Sequence, residues 1–154
     1  MNFDKAIEYV LKHEGGYIDN SKDRGGITNM GISQRAYPDE DIKNLTKERA
    51  KEIYYNDYWC RGKCELLPEE LKFPHLSFCV NMGVFGANKL LQEACGSSVD
   101  GVVGAETLNA ALTLTKEKYC FYAAKRYGRI VVANPSQLIF LNGWMNRLEE
   151  IINA

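Results

Sequence analysis

From Phe3 to His13 the apolar residues Phe3, Ile7, Val10 and Leu11 recur at i, i+4, i+7 and i+8, and the pattern then runs into Gly15-Gly16. That is the stripe of an amphipathic helix, with Lys5, Glu8 and Lys12 turned outward and Glu14 as its last residue. Behind it comes Asp19-Asn20-Ser21-Lys22-Asp23-Arg24-Gly25-Gly26, a string of turn-forming residues, so residues 15 to 33 read as loop or short hairpin. The remainder is a succession of helical patterns. Thr46 caps a helix over Lys47 to Trp59, and another starts near Pro74 and runs to Gly83. Gly86 opens Ala87 to Cys95, which Gly96 stops, and Ala105 to Leu112 is short. Lys116 to about Val132 is ended by Asn134-Pro135, and a last helix from about Gln137 puts Leu138, Leu141, Met145, Leu148 and Ile152 on one side. No run of alternating strands accompanies them, so the pattern predicts a mainly α fold with a short loop or β-hairpin after the first helix.

A chain of 154 residues buries a usable core as one compact domain, 1–154. Nineteen Lys plus Arg against twenty Asp plus Glu leave a net charge of -1, which supplies no field for steering the chain onto nucleic acid or anionic lipid. No stretch approaches the roughly 18 consecutive apolar residues of a membrane span, so no membrane insertion is expected. The start of the chain, with Asp4 and Glu8 and no uninterrupted apolar run, shows no signal peptide. Five cysteines, an odd number widely spread, read as reduced and mostly buried thiols. Cys60 and Cys64 form a C-x3-C pair, but a zinc site needs further ligands and His13 and His75 stand isolated in sequence, so no metal and no cofactor is expected.

Glu14 sits where a buried helix gives way to a glycine-rich loop, rigid on one side and open to a ligand on the other. Glycoside cleavage uses such a carboxyl as general acid, favoured by an apolar surround that Val10, Leu11 and Tyr17 are placed to supply. It also needs a second group across the scissile bond, for which Asp23 and Asp19 are candidates, with the Thr28 hydroxyl able to orient a water. The same residues read equally as a solvated helix-end acid, a glycine C-cap and turn acids.

The whole string narrows that choice. His13-Glu14-Gly15-Gly16-Tyr17, followed by Gly25-Gly26-Ile27-Thr28-Asn29-Met30-Gly31-Ile32-Ser33, resembles glycoside hydrolase family 108, the bacterial and phage N-acetylmuramidases once labelled secretion activators. The resemblance continues through Ala50-Lys51-Glu52-Ile53-Tyr54, Tyr58-Trp59, Val80-Asn81-Met82-Gly83, Leu91-Gln92, Asp100-Gly101 and Asn142-Gly143-Trp144-Met145-Asn146-Arg147, and so covers nearly the entire chain. It implies a lysozyme-like helical fold, peptidoglycan glycan strands as partner and substrate, and Glu14 as the acid. It also implies a catalytic lobe over 1–85 and a C-terminal lobe over 86–154 resembling a peptidoglycan-binding region. The spacing from Glu14 to Asp23 is similar to the acid pattern of phage endolysins, with Thr28 near the place of their third residue.

For sugar contact, Tyr17, Asp19, Tyr58 and Trp59 are candidates, with Asn81 and Gln92 as hydrogen-bonding side chains for acetamido groups. Tyr54 and Trp144 fall on helical stripes and read as core aromatics. Asn81, polar amid Phe78, Val80, Met82 and Val84, must find partners inside or line a cleft. The resemblance thus implies a peptidoglycan hydrolase that cleaves the β-1,4 bond between N-acetylmuramic acid and N-acetylglucosamine, made in the bacterial cytoplasm and reaching the wall by release or another export route. A catalytically silent peptidoglycan-binding or regulatory protein, or a lytic transglycosylase, are the alternatives. An unexported chain keeps its thiols reduced, so alkylation under denaturing, non-reducing conditions is expected to label all five cysteines. Intact-mass measurement checks this, and a protected pair contradicts it.

Overall fold

A computed structural model describes residues 1–19 and 26–154, so Asp23 lies outside the described residues. Asn2 accepts a hydrogen bond from the Lys5 amide at 3.1 Å and so caps helix α1, Phe3–Glu14, which buries Ala6, Ile7 and Val10. Three short strands follow, β1 (Ile18–Asp19), β2 (Ile27–Asn29) and β3 (Ile32–Ser33), paired antiparallel in that order. Met30 and Gly31 join β2 to β3 with φ of 49° and 79°, the two positive values that a two-residue type I′ hairpin turn demands.

Thr46 caps α2, Lys47–Tyr54, which continues as a π-helical turn over Tyr55–Cys60 and is followed by a single 3₁₀ turn, Cys64–Leu66. Next come α3 (Glu69–Met82), α4 (Val84–Cys95), α5 (Ala105–Ala111), α6 (Lys116–Ala133), a 3₁₀ turn over Pro135–Phe140, and α7 (Leu141–Asn153). The described residues are thus mainly α, as the sequence pattern implies. None of their helices is long and apolar enough to cross a membrane.

Three boundaries differ from the sequence expectation. The helix expected to begin near Pro74 begins at Glu69, with Pro74 inside it. Pro74 forfeits one backbone bond within the helix, and burial of Leu71 and Phe73 in the turn before it offsets that loss. The next helix starts at Val84 directly after Gly83, not at Ala87. The last stripe is out of phase, because Leu138 belongs to the 3₁₀ turn; α7 buries Leu148 and Ile151, while Leu138 and Ile152 are exposed.

The core gathers around α3, which packs against α1, α4, α6 and α7 and is buried without interruption from Phe73 to Cys79. Within it Cys64, His75 and Cys79 bring their ligand atoms within 4.8 Å of one another, a convergence that sequence separation hides. Hydrogen bonds occupy both nitrogens of that imidazole. Nε2 faces the Gly62 carbonyl at 3.0 Å and Asn88 Oδ1 at 3.1 Å, both acceptors, so it carries the proton and Nδ1 accepts from the Tyr119 hydroxyl at 2.7 Å. The Cys79 thiol and burial together push the Cys64 thiol up, which keeps it neutral.

Burial holds His75 below its ordinary 6.5. An unfolded chain takes up this proton near pH 6.5 and the folded one resists it, so the contribution to stability is full above 6.5 and is lost as pH falls below it. The depressed carboxyls of Glu8, Glu40 and Asp100 act at lower pH, around and below their ordinary 4.5 and 3.8. Thermal melts are expected to fall between pH 6.5 and roughly 5, and to fall less steeply in His75→Gln. Parallel slopes in the two proteins contradict this.

Candidate active site

The Glu14 side chain, at the C-terminal end of α1, is 24% exposed and is held from two sides. On one side the hairpin turn presses against its stem. A β-carbon on Gly31 would stand 2.7 Å and 2.9 Å from Glu14 Cβ and Cγ and 2.5 Å from the Tyr54 hydroxyl, so only glycine fits there. Tyr54 fixes that turn by donating its hydroxyl to the Met30 carbonyl at 2.8 Å. On the other side Arg147, from α7, sets Nη2 3.3 Å from Glu14 Oε1 and donates Nη1 to Ser77 Oγ on α3 at 3.2 Å.

A wall of tyrosines leads away from the carboxyl. The Tyr58 ring lies 5.4 Å from that of Tyr54 and lines a groove of about 510 Å³ together with Tyr37, Asp57, Arg61, Met82 and Phe85. The Tyr37 hydroxyl donates to Asp57 Oδ2 at 2.7 Å. Burial pushes the Tyr54 and Tyr37 hydroxyls up, aided by the nearby charge of Glu14 at Tyr54 and by the Asp57 hydrogen bond at Tyr37; Tyr58 is raised by burial as well. All three therefore stay protonated and can donate across the physiological range.

Asn81, the last residue but one of α3, is half-buried, and its Oδ1 accepts from the Tyr127 hydroxyl at 2.7 Å. No partner for its amide nitrogen is found among the described residues. Tyr127 in turn stacks on Trp144 at 4.8 Å and 14°.

The other sequence candidates divide. Tyr17 is 44% exposed between α1 and β1, so of the wall expected around Glu14 this ring is largely open to solvent, and a guanidinium stands on another side. Directly paired residues share a sheet face, so Thr28 lies with Ile18 and Ser33, and Asp19 with Ile27 on the opposite face. Thr28 and Asp19 therefore do not serve one water together. Trp59 is no sugar platform: it is 1% exposed and packs edge-on to Phe3 at 5.5 Å. Adjacent residues of a helical turn point apart, so Tyr58 on the groove sends Trp59 to the core.

Gln92 is also corrected. Buried at 1%, it accepts from the Asp100 and Gly101 amides at 3.0 Å and 2.8 Å and donates to Asp100 Oδ1, the Val102 carbonyl and Thr107 Oγ. Its amide is spent bracing the turn before α5. Sequence reasoning gave no role to Arg147, Ser77, Gly31, Tyr37 or Asp57. Gly31 carried a usable signal as the glycine of a short hairpin, whereas Arg147, although it closes the block Asn142 to Arg147 that carries the resemblance, is 133 positions from Glu14 and gave no sign of that contact.

Comparison with known proteins finds that the family model Glycosyl hydrolase 108 matches residues 7–83 and one described as "Predicted Peptidoglycan domain" matches residues 86–149. A solved structure of Brucella abortus SagA is similar, with a TM-score of 0.82 and 32% identity over 97% of this chain and 90% of that one. The same comparison with curated protein sequences finds no match.

The contact between Gly31 and Glu14 is open to a direct test. Gly31→Ala forces a side chain into positive φ against Tyr54 and the Glu14 stem, and is expected to cost about 1–3 kcal/mol of stability, the scale of a strained backbone site. Chemical denaturation measures it. A substitution without cost means that the turn does not sit on Glu14.

Proposed function

The chain belongs to glycosyl hydrolase family 108 and has a peptidoglycan-related function, and from that footing we propose that it is an N-acetylmuramidase with Glu14 as general acid. The bond cut is the β-1,4 link from N-acetylmuramic acid to N-acetylglucosamine. One observation carries the assignment: a carboxyl at a helix end, fixed by Gly31 and Arg147, with Tyr54 against the same turn and Tyr58, ring to ring with Tyr54, lining a groove.

In this reading Glu14 gives its proton to the glycosidic oxygen as the bond from that oxygen to the sugar carbon breaks, and the electron pair leaves with the oxygen. Water then supplies the oxygen that bonds the sugar carbon, and its remaining proton passes to a base. Asp23, with Thr28 orienting the water, is proposed for that side, and Asp19 is the alternative. Tyr58 offers its ring and hydroxyl to the glycan, Tyr17 an exposed ring, and Asn81 its amide nitrogen to an acetamido carbonyl.

Glu14→Gln keeps the shape and removes the transferable proton. It is expected to lower release of wall fragments by at least about 10²-fold, with the thermal midpoint within a few degrees of wild type. Mass spectrometry of a purified wall digest checks both activity and class. Retained turnover removes Glu14 from the acid role, and wild-type products lighter by one water identify a lytic transglycosylase in place of a hydrolase.

A further inference from the structure

We propose that Arg147 is the positioning residue of Glu14, so that the C-terminal region of the chain completes the catalytic site and is not a separable wall-binding unit. This rests on the reading of Glu14 as the acid. The family match containing Glu14 ends at residue 83, and Arg147 lies in the second match, 86–149. Its guanidinium nevertheless reaches Glu14 Oε1 at 3.3 Å, and the Arg147 and Glu14 side chains are only 21% and 24% exposed.

A surface ion pair between two long side chains is worth little, because holding both ends costs entropy and water screens the charge. Arg147 is placed differently. A second contact, Nη1 to the Ser77 hydroxyl at 3.2 Å, fixes the plane of the guanidinium, and Ser77 is itself 4% exposed on the central helix. One turn before it on α7, Trp144 stacks on Tyr127, whose hydroxyl reaches Asn81 at the end of α3. One turn after it, Glu150 pairs with His13, the neighbour of Glu14. The helix carrying Arg147 is thus tied on both sides of that residue to the two helices whose ends form the site.

The geometry has a chemical consequence. With Oε1 turned to Arg147, Oε2 is the oxygen left to deliver the proton to the glycosidic oxygen. Negative charge grows on the carboxylate as that proton leaves, and a cation already in place attracts it more in the transition state than in the ground state. Losing the cation therefore lowers kcat, while contacts along the groove, which set substrate affinity, stay as they were.

The test uses the full chain on soluble glycan fragments, with kcat, KM and thermal midpoint measured for Arg147→Ala, with and without guanidinium ion at a sub-denaturing concentration, and for Arg147→Lys. Arg147→Ala is expected to lose about 10²-fold in kcat, the scale of a misplaced catalytic group, with KM held within about threefold and part of the rate restored by guanidinium. Arg147→Lys keeps the charge and the helix packing but cannot span Glu14 and Ser77 together, so it is expected to fold even if the alanine variant does not, with kcat about tenfold down and KM held. Lys116→Met, which frees the far end of the same helix from α6 by removing the Lys116 Nζ bond to the Ile152 carbonyl and touches neither Glu14 nor Arg147, is expected to lower the midpoint and keep kcat. Wild-type kcat in either Arg147 variant, a loss that guanidinium leaves unchanged, or an equal kcat loss in Lys116→Met overturns the proposal. Turnover retained in Glu14→Gln instead overturns the assignment of the acid, a distinct result.

Discussion

The approach of the Met30-Gly31 turn to the end of α1 is the contact on which the site depends. The hairpin is small, and its tip has no side chain at Gly31, so backbone meets the Glu14 stem directly and Tyr54 can lock it through the Met30 carbonyl. Any residue with a β-carbon would force the sheet off the helix and open the wall from which Tyr54 and Tyr58 lead into the groove. The positive φ at both turn positions is what lets so short a connection reverse the chain tightly enough to make that approach.

Behind this contact stands α3, a helix apolar and buried all along its middle, which is the arrangement of an element surrounded by others. Its polar residues are accounted for individually. His75 is closed by Tyr119, Gly62 and Asn88; Ser77 receives Arg147; Asn81 receives Tyr127. Each partner in that list except Gly62 comes from residues beyond 83, so the polar interior of the first matched region is satisfied largely by the second. An isolated first region would expose to water the apolar face of α3 that α4, α6 and α7 cover. That is a physical reason for both regions to share one core.

Much of the helical order was legible in the sequence, because caps and glycines are local signals: Thr46, Gly96 and Asn134-Pro135 mark their helix ends as expected. The helix at 69–82 was misjudged at its start because Pro74 reads as a first-turn residue, while tertiary burial of Leu71 and Phe73 carries the helix through it. For the candidate site, the position of Glu14 at a helix end beside Gly15-Gly16 was legible, whereas its choice as the acid came from the resemblance of the whole surrounding string. Trp59 and Gln92 were misplaced because aromatic and amide side chains serve sites and interiors alike, and only three-dimensional packing separates the two. Arg147 was beyond reach of any local pattern, since its role arises from the docking of the last helix onto the end of the first.

The charges of the molecule sort by the same criterion. Lys51 and Lys47 hold the Glu8 carboxyl down at about 2, and Arg49 grips Glu40, but these groups sit at the surface, where salt screens them and side-chain entropy opposes them. Glu14 and Arg147 are partly covered, 24% and 21% exposed, and what sets them apart is that each has a second restraint: Gly31 presses on the Glu14 stem and Ser77 receives the other guanidinium nitrogen. Surface pairs such as Lys47 with Glu8 join two freely rotating side chains, whereas here the turn and α3 hold both partners before they meet. A carboxyl whose orientation is fixed in advance is the condition a proton-delivering group requires.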